Sequence, residues 1–164
     1  MSGSTSVTAG TGVTLESLNN NTGTIALLSS GGINGGSGTV LMRAANYAFG
    51  GADRTITTTG VLTIQPDADE NSFASSFDNQ YLNPVSVTGL TLGKSSNASA
   101  ITLSRAISLS GPVSIYGGSI DVNANITANS GNILLDADTG STLNQSSTGI
   151  LLDDAITILS LIHI

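Results

Sequence analysis

The chain of 164 residues has no cysteine, one histidine and four cations. Without cysteine there is no disulfide and no thiolate chemistry. A Ser-His-Asp triad needs an imidazole to move the proton, and the only one is His163, in a terminal stretch unlike the rest. The same counts argue against a zinc site built on Cys and His. Arg43, Arg54, Lys94 and Arg105 are scattered through a chain of net charge −7. They offer a phosphate backbone no basic patch, so nucleic acid is not an expected partner. Charged residues make up only 9%, against roughly 25% in ordinary soluble domains. No apolar run approaches the roughly 18 residues a membrane helix requires, so membrane insertion is not expected. Met1 is not followed by the charged and apolar regions of a signal peptide. An exported chain of this kind would be a piece of a longer protein, carrying its signal elsewhere.

Apolar residues are nonetheless plentiful, at 39% with mean hydropathy +0.25. That is enough for the core of one domain and argues against disorder. Ser, Thr, Asn and Gly fill the polar positions, as in long extracellular β structures whose stacked hydroxyls and amides bond along the stack. The stretch 111–135 shows the pattern best. Val113 and Ile115 alternate with Ser114, Ile120 and Val122 with Asp121, and Ile126 to Ala128 and Ile133 to Leu135 follow. Strict alternation over a few residues marks a half-buried strand. Gly117-Gly118, Asn123 to Asn125 and Asn129-Ser130-Gly131 separate the runs and favour turns. Strands are expected near 85–88, 90–92, 100–103, 107–109, 113–116, 119–122, 126–128, 132–135 and 150–152.

One phrase recurs, a glycine followed by a short apolar run, at Gly12, Gly23, Gly38, Gly60, Gly89, Gly111, Gly131 and Gly149. From Gly38 onward its spacing is uneven, longest between Gly60 and Gly89 and shortest between Gly131 and Gly149. A loose period of this size predicts a solenoid, each coil burying its apolar face against the next. The expected fold is all-β, a β-solenoid with irregular coils of about 18–29 residues. One segment covers residues 1–158. Leu159 to Ile164, LSLIHI, reads as a translated sequencing adapter, so 159–164 is set aside as a non-native tail.

Residues 65–84 break the pattern. They hold Asp67, Asp69, Glu70 and Asp78, with Phe73, Phe77 and Tyr81 at i, i+4 and i+8. That spacing puts three aromatics on one face of a short helix around 71–78. A loop excursion laid over the solenoid is expected, its aromatics capping the core or, less favoured, meeting a partner. Tyr47 and Phe49 are expected to cover the core rather than stack on a ligand.

Carboxylate pairs that could act on glycosides are Asp136 with Asp138, Asp153 with Asp154, and Asp67 with Asp69. Asp136 and Asp138, in Asp-Ala-Asp-Thr-Gly, read better as a turn after a strand. Asp67-Ala-Asp69-Glu70 and Asp136-Ala-Asp138 are fragments of calcium loops, and neither completes one. Glycine-rich Ser30 to Gly38 lacks the Lys and helix of a phosphate loop. The sequons at Asn20, Asn97, Asn125 and Asn144 are expected by chance. Thr55, Thr57 and Thr59 form one row of an ice-binding type, and no such row recurs coil after coil. No catalytic, cofactor or metal residue is assigned.

Gly89-Leu90-Thr91-Leu92-Gly93, Ala100-Ile101-Thr102-Leu103, Ile107-Ser108-Leu109-Ser110-Gly111-Pro112-Val113 and Gly131-Asn132-Ile133-Leu134-Leu135 carry a resemblance, as does Gly60-Val61-Leu62-Thr63-Ile64-Gln65-Pro66. Over about residues 38–152 the chain resembles the repetitive passenger region of filamentous-haemagglutinin-like bacterial surface adhesins. The resemblance implies a right-handed parallel β-helix in a long secreted cell-surface fibre. It implies a non-enzymatic, cofactor-free stalk that attaches to host or bacterial surface glycans or proteins, with flanking coils of the same longer chain on either side. The alternatives are a polysaccharide-binding or polysaccharide-active β-helix protein, or a purely structural extracellular matrix repeat.

Overall fold

The structure, a computed structural model, describes residues 6–17, 22–28, 31–67, 70–137 and 149–161. The expectations for Asp69, Asp138, Asn20, Asn144 and His163 lie outside them. Every regular element among the described residues is a β-strand. The first nine are β1 (Val7–Thr8), β2 (Val13–Ser17), β3 (Thr24–Leu27), β4 (Ile33–Asn34), β5 (Val40–Ala44), β6 (Asn46–Phe49), β7 (Arg54–Thr57), β8 (Val61–Gln65) and β9 (Phe77–Asp78). Then follow β10 (Leu82–Val85), β11 (Gly89–Leu92), β12 (Ile101–Leu103), β13 (Ile107–Leu109), β14 (Val113–Gly117), β15 (Ser119–Val122), β16 (Ile126–Ala128), β17 (Ile133–Ala137), β18 (Gly149–Leu152) and β19 (Ile158–Ser160). Among the described residues no helix is long and apolar enough to cross a membrane.

Consecutive strands among these do not pair as hairpins. Each pairs in parallel with a strand one layer away. One sheet has the order β1-β4-β7-β10, a second β17-β14-β11-β8-β5-β2, and a third β18-β15-β12-β9. Strands β13, β16 and β19 form a fourth sheet, and β3 with β6 a fifth. The chain is therefore all-β, with parallel strands in stacked sheets, an arrangement compatible with a β-helix.

The six-stranded sheet carries the core. Val13, Val40, Leu62, Leu90, Val113 and Ile133 stand in one inward column. Leu15, Met42, Ile64, Leu92, Ile115 and Leu135 stand in the next. Between them, on the outer face, run Thr14, Leu41, Thr63, Thr91, Ser114 and Leu134. The alternation read in the sequence is thus the alternation of core and surface. The period of two fixes the register, because a slip of one residue would expose every column. Burying one such Leu or Ile stabilises by about 1.5–3 kcal/mol. Successive members of a column are separated along the chain by a stretch the size of one solenoid repeat.

The recurring glycine marks one corner of the stack. Gly12, Gly38, Gly60, Gly111 and Gly131 each come just before a strand of the six-stranded sheet, and Gly89 opens one. The chain turns there against the backbone of the layer below. A Cβ at Gly38 would lie 1.7 Å from the Thr11 carbonyl oxygen, and one at Gly111 1.9 Å from that of Thr88. Gly111→Ala is expected to lower stability by about 1–3 kcal/mol, the usual cost of overpacking. A urea titration with an unchanged slope checks it.

Two expectations are corrected. Gly23 and Gly149 do not belong to this corner. Gly149 opens β18, which pairs with β15 (Ser119↔Gly149) and not with the sheet of β17. The step from Gly131 to Gly149 is therefore not a register interval. The strand expected near 85–88 lies at Leu82–Val85; Ser86, at φ 59°, ends it, and Val87 still turns into the core. At the far end of the chain, Ile158–Ser160 pairs with Ile126–Ala128, which brings Leu159 and Ser160 of the set-aside tail into a sheet.

Candidate functional site

The stretch 65–84 departs from its expected form. Its described residues contain no helix. Phe77–Asp78 forms β9 beneath Ile101–Thr102, and Leu82–Val85 lies on Arg54–Thr57. The stretch runs within the stack, although more residues separate its strands than elsewhere. A helix of two turns without packing of its own is marginal in water, whereas Phe77 as a strand residue gains a place in the apolar column below Ile101 and Ile120.

Phe73 and Phe77 are buried, stacked at 5.6 Å between ring centroids. Tyr47 meets both edge-on at 5.7 Å, and Phe49 lies 6.1 Å from Phe77. Four aromatics from two layers thus fill one corner of the core, where each such pair adds about 0.5–1.5 kcal/mol beyond its burial. Tyr81 is only half-buried and does not join them. The expectation that Tyr47 and Phe49 cover the core matches this placement. A cavity of about 30 Å³ beside Tyr47, Phe73, Phe77 and Ser75 has room for about one water and not for a ligand.

The Tyr47 hydroxyl donates to the Gln65 carbonyl at 2.8 Å. Burial, with a smaller contribution from Asp67, raises its phenol well above the usual tyrosine range, against the lowering effect of its backbone hydrogen bonds. The unfolded chain ionises this phenol near pH 10. Its share of stability is therefore complete below about pH 10 and is lost as pH rises from there toward the folded-state value. Tyr47→Phe is expected to abolish this alkaline loss and to cost about 1 kcal/mol at pH 7 for the unpaired carbonyl. Urea midpoints of both proteins from pH 7 to 11 check the result.

The carboxylates do not converge on a site. Asp67 is buried, with Oδ1 lacking a hydrogen-bond partner. The Lys94 ammonium donates to the backbone carbonyl oxygens of Asp67 and Glu70. Asp78 accepts from the Gln80 amide and the Ser104 hydroxyl. Asp153 accepts the Asp154 amide at 2.9 Å, as a turn aspartate does. Asp136 is registered beside Tyr116 on the last strand of the six-stranded sheet. Among the described residues no group of three or more His, Cys, Asp or Glu is placed to hold a metal ion. Arg105 pairs with Asp53, and that hydrogen bond, foremost, holds the exposed carboxyl below its ordinary range. Thr55 and Thr57 face outward, but their neighbours across the sheet are Asn83, Val85 and Asn34, so the threonine row stops.

What the side chains do instead is join layers. Asn97, fully buried, accepts from the Phe73 amide at 3.2 Å and donates to the Tyr116 carbonyl at 2.8 Å, reaching the layers on both sides. Asn79 gives its amide to the Arg105 carbonyl and takes the Arg105 N–H, each at 2.9 Å. Asn129 donates to the Leu109 carbonyl, and Asn125 accepts the Thr157 amide. Ser72, Ser96 and Ser99 bond backbone carbonyls of a neighbouring layer. Asn125 and Asn129 read as turn residues in the sequence and Asn97 as a chance sequon; nothing local marks them as joining layers. The burial of Asn97 also closes its sequon in the folded chain.

No family model, no curated protein and no solved structure matches this chain.

Proposed function

We propose that the chain winds as a right-handed parallel β-helix and acts as a stiff, non-enzymatic stalk in surface attachment, outside the cell. One observation carries the reading. Two apolar columns run unbroken through six parallel strands, each strand one repeat-sized stretch of chain beyond its neighbour. In the winding proposed, each such stretch is one coil and adds about 4.8 Å of length. Parallel strands joined by crossovers are overwhelmingly right-handed, because right-twisted strands pack back on the sheet only that way. Side chains that join layers serve stiffness: the corner asparagines and serines resist shear between coils, and the columns resist bending. The low charge and absence of cysteine fit the bacterial surface setting of the adhesins the chain resembles. Attachment to surface glycans or proteins is the role such a stalk takes there.

Beads coated with the chain test attachment. They are expected to remain on epithelial cells or glycan-coated glass under flow when uncoated beads wash off. Equal retention of both would remove attachment from the account and leave a structural matrix role.

A further inference from the structure

Two seams cross the stack away from its ends. In the winding proposed above, β9 comes over β6 and β13 over β10. Among the described residues neither couple pairs, and their backbones hardly approach one another. Strand β6 has its partner in β3, and β10 in β7. Strands β9 and β13 have theirs on the far side, in β12 and β16. Each of the four is therefore paired along one edge, as an end strand is, although all four lie well inside the chain. The six-stranded sheet alone crosses both seams, from β5 through β8 and β11 to β14.

Local chemistry explains why the ladders stop. The Arg54 and Thr58 amides donate to the Tyr81 and Val85 carbonyls, so the odd-numbered residues of β10 turn their backbone groups to β7. Pro84 turns the other way, toward β13, and has no N–H to offer. Ser86, at φ 59°, then ends the strand, and Val85 is left 38% exposed. At the other seam the rings of Phe73 and Phe77 lie against Tyr47 and Phe49, with the small cavity beside them. Side chains hold the seams where the ladders do not. The Ser75 hydroxyl donates to Asn46 Oδ1 at 3.1 Å across the first. At the second, Asn79 bonds the Arg105 backbone both ways, and the Arg105 guanidinium reaches on to Asp53, just before β7.

We propose that residues 61–88 form a joint in the stalk, with the six-stranded sheet as its hinge and the two seams as the faces that part. The inference rests on the winding proposed above. A stack tied on every face by continuous ladders resists bending in all directions. Here a tilt about the intact sheet meets side-chain bonds and ring contacts at the seams in place of a ladder. The aromatic corner and the links from Arg105 to Asn79 and Asp53 hold the joint closed at rest. The stalk is stiff on either side of it, and a sideways load is taken up at this one place.

Hydrogen exchange, read amide by amide, tests the joint. A stack of like layers frays at its ends and is best protected in its middle. The joint predicts a dip there on the two cut faces. The Phe77 and Ile107 amides, bonded to the Ala100 and Asn125 carbonyls, should exchange faster than that of Ile126, one layer nearer the end. They should exchange at least about tenfold faster than those of Leu90 and Val113, which are bonded in the six-stranded sheet. Asn79→Ala, checked for folding by circular dichroism, is expected to speed exchange about tenfold at Asn83, Val85, Ile107 and Leu109 and to leave Leu90 and Val113 unchanged. Protection that peaks in the middle on every face would overturn the joint, as would a response to Asn79→Ala confined to residues 79 and 105. A Thr63→Cys/Thr91→Cys chain, in a protein without native cysteine, separates this failure from failure of the fold. Those residues are registered neighbours and should form an internal disulfide. If they do and protection still peaks in the middle, the joint alone is wrong; if they do not, both readings fall.

Discussion

Leu92→Asp is expected to unfold the chain at 25 °C, whereas Thr91→Asp, one residue away, should leave its stability within about 0.5 kcal/mol. Leu92 is fully buried between Ile64 and Ile115, in a column that continues to Met42 and Leu135. A carboxylate there has no cation in the column to pair with. It either remains charged in a dry site or takes up a proton and leaves its hydroxyl without a partner, and both cost several kcal/mol. Added to the lost burial of leucine, the total rivals the roughly 5–15 kcal/mol that hold a domain together. Thr91 points the other way, between Thr63 and Ser114, where neither neighbour carries charge. Circular dichroism and a thermal melt of both variants decide the matter. Equal effects would mean that 91 and 92 do not lie on opposite faces of a strand.

Asn97→Leu is the second large effect, expected to cost about 3–5 kcal/mol, the sum of several buried backbone groups left unpaired at about 1–3 kcal/mol each. The substitution keeps the branching at Cγ, removes the hydrogen bonds and adds volume to a fully buried site. The amides of Phe73 and Ser99 and the Tyr116 carbonyl all use the Asn97 side chain. The exposed corner variant Asn123→Leu is the control. Asn123 reaches Asp121 at 3.3 Å, on the surface, and its loss should cost less than about 1 kcal/mol. Because Asn97 joins the layers of Phe73 and Tyr116, its loss should also raise hydrogen exchange on both sides of it, not only in its own turn.

The part of the fold written in short-range alternation was legible in the sequence. The strands expected at 107–109, 119–122 and 126–128 are β13, β15 and β16 with the same bounds, because Ile, Leu and Val alternating with Ser, Asp and Thr leave one face to bury. The glycine phrase was legible as a period, and its cause is the close approach of backbones at one corner. It misled at Gly23 and Gly149, where the same phrase opens a strand of a different sheet; a glycine before an apolar run does not say which corner it turns. The spacing of Phe73, Phe77 and Tyr81 misled for a related reason. Three aromatics four residues apart match a helical period, but the placement of Phe73 and Phe77 depends on Tyr47 and Phe49, in the layer below and distant in sequence. Asn97 was invisible as a core residue, since an asparagine among serines looks like a turn until a neighbouring layer surrounds it.

The central claim is parallel stacking of strands one repeat apart along the chain, and nuclear Overhauser contacts in the labelled chain test it most directly. The account predicts backbone contacts from Leu92 to Ile64 and to Ile115, and from Ile120 to Ile101 and to Ile150. Contacts pairing Val113–Gly117 against Ser119–Val122 as an antiparallel hairpin would contradict it, and the stalk would go with it.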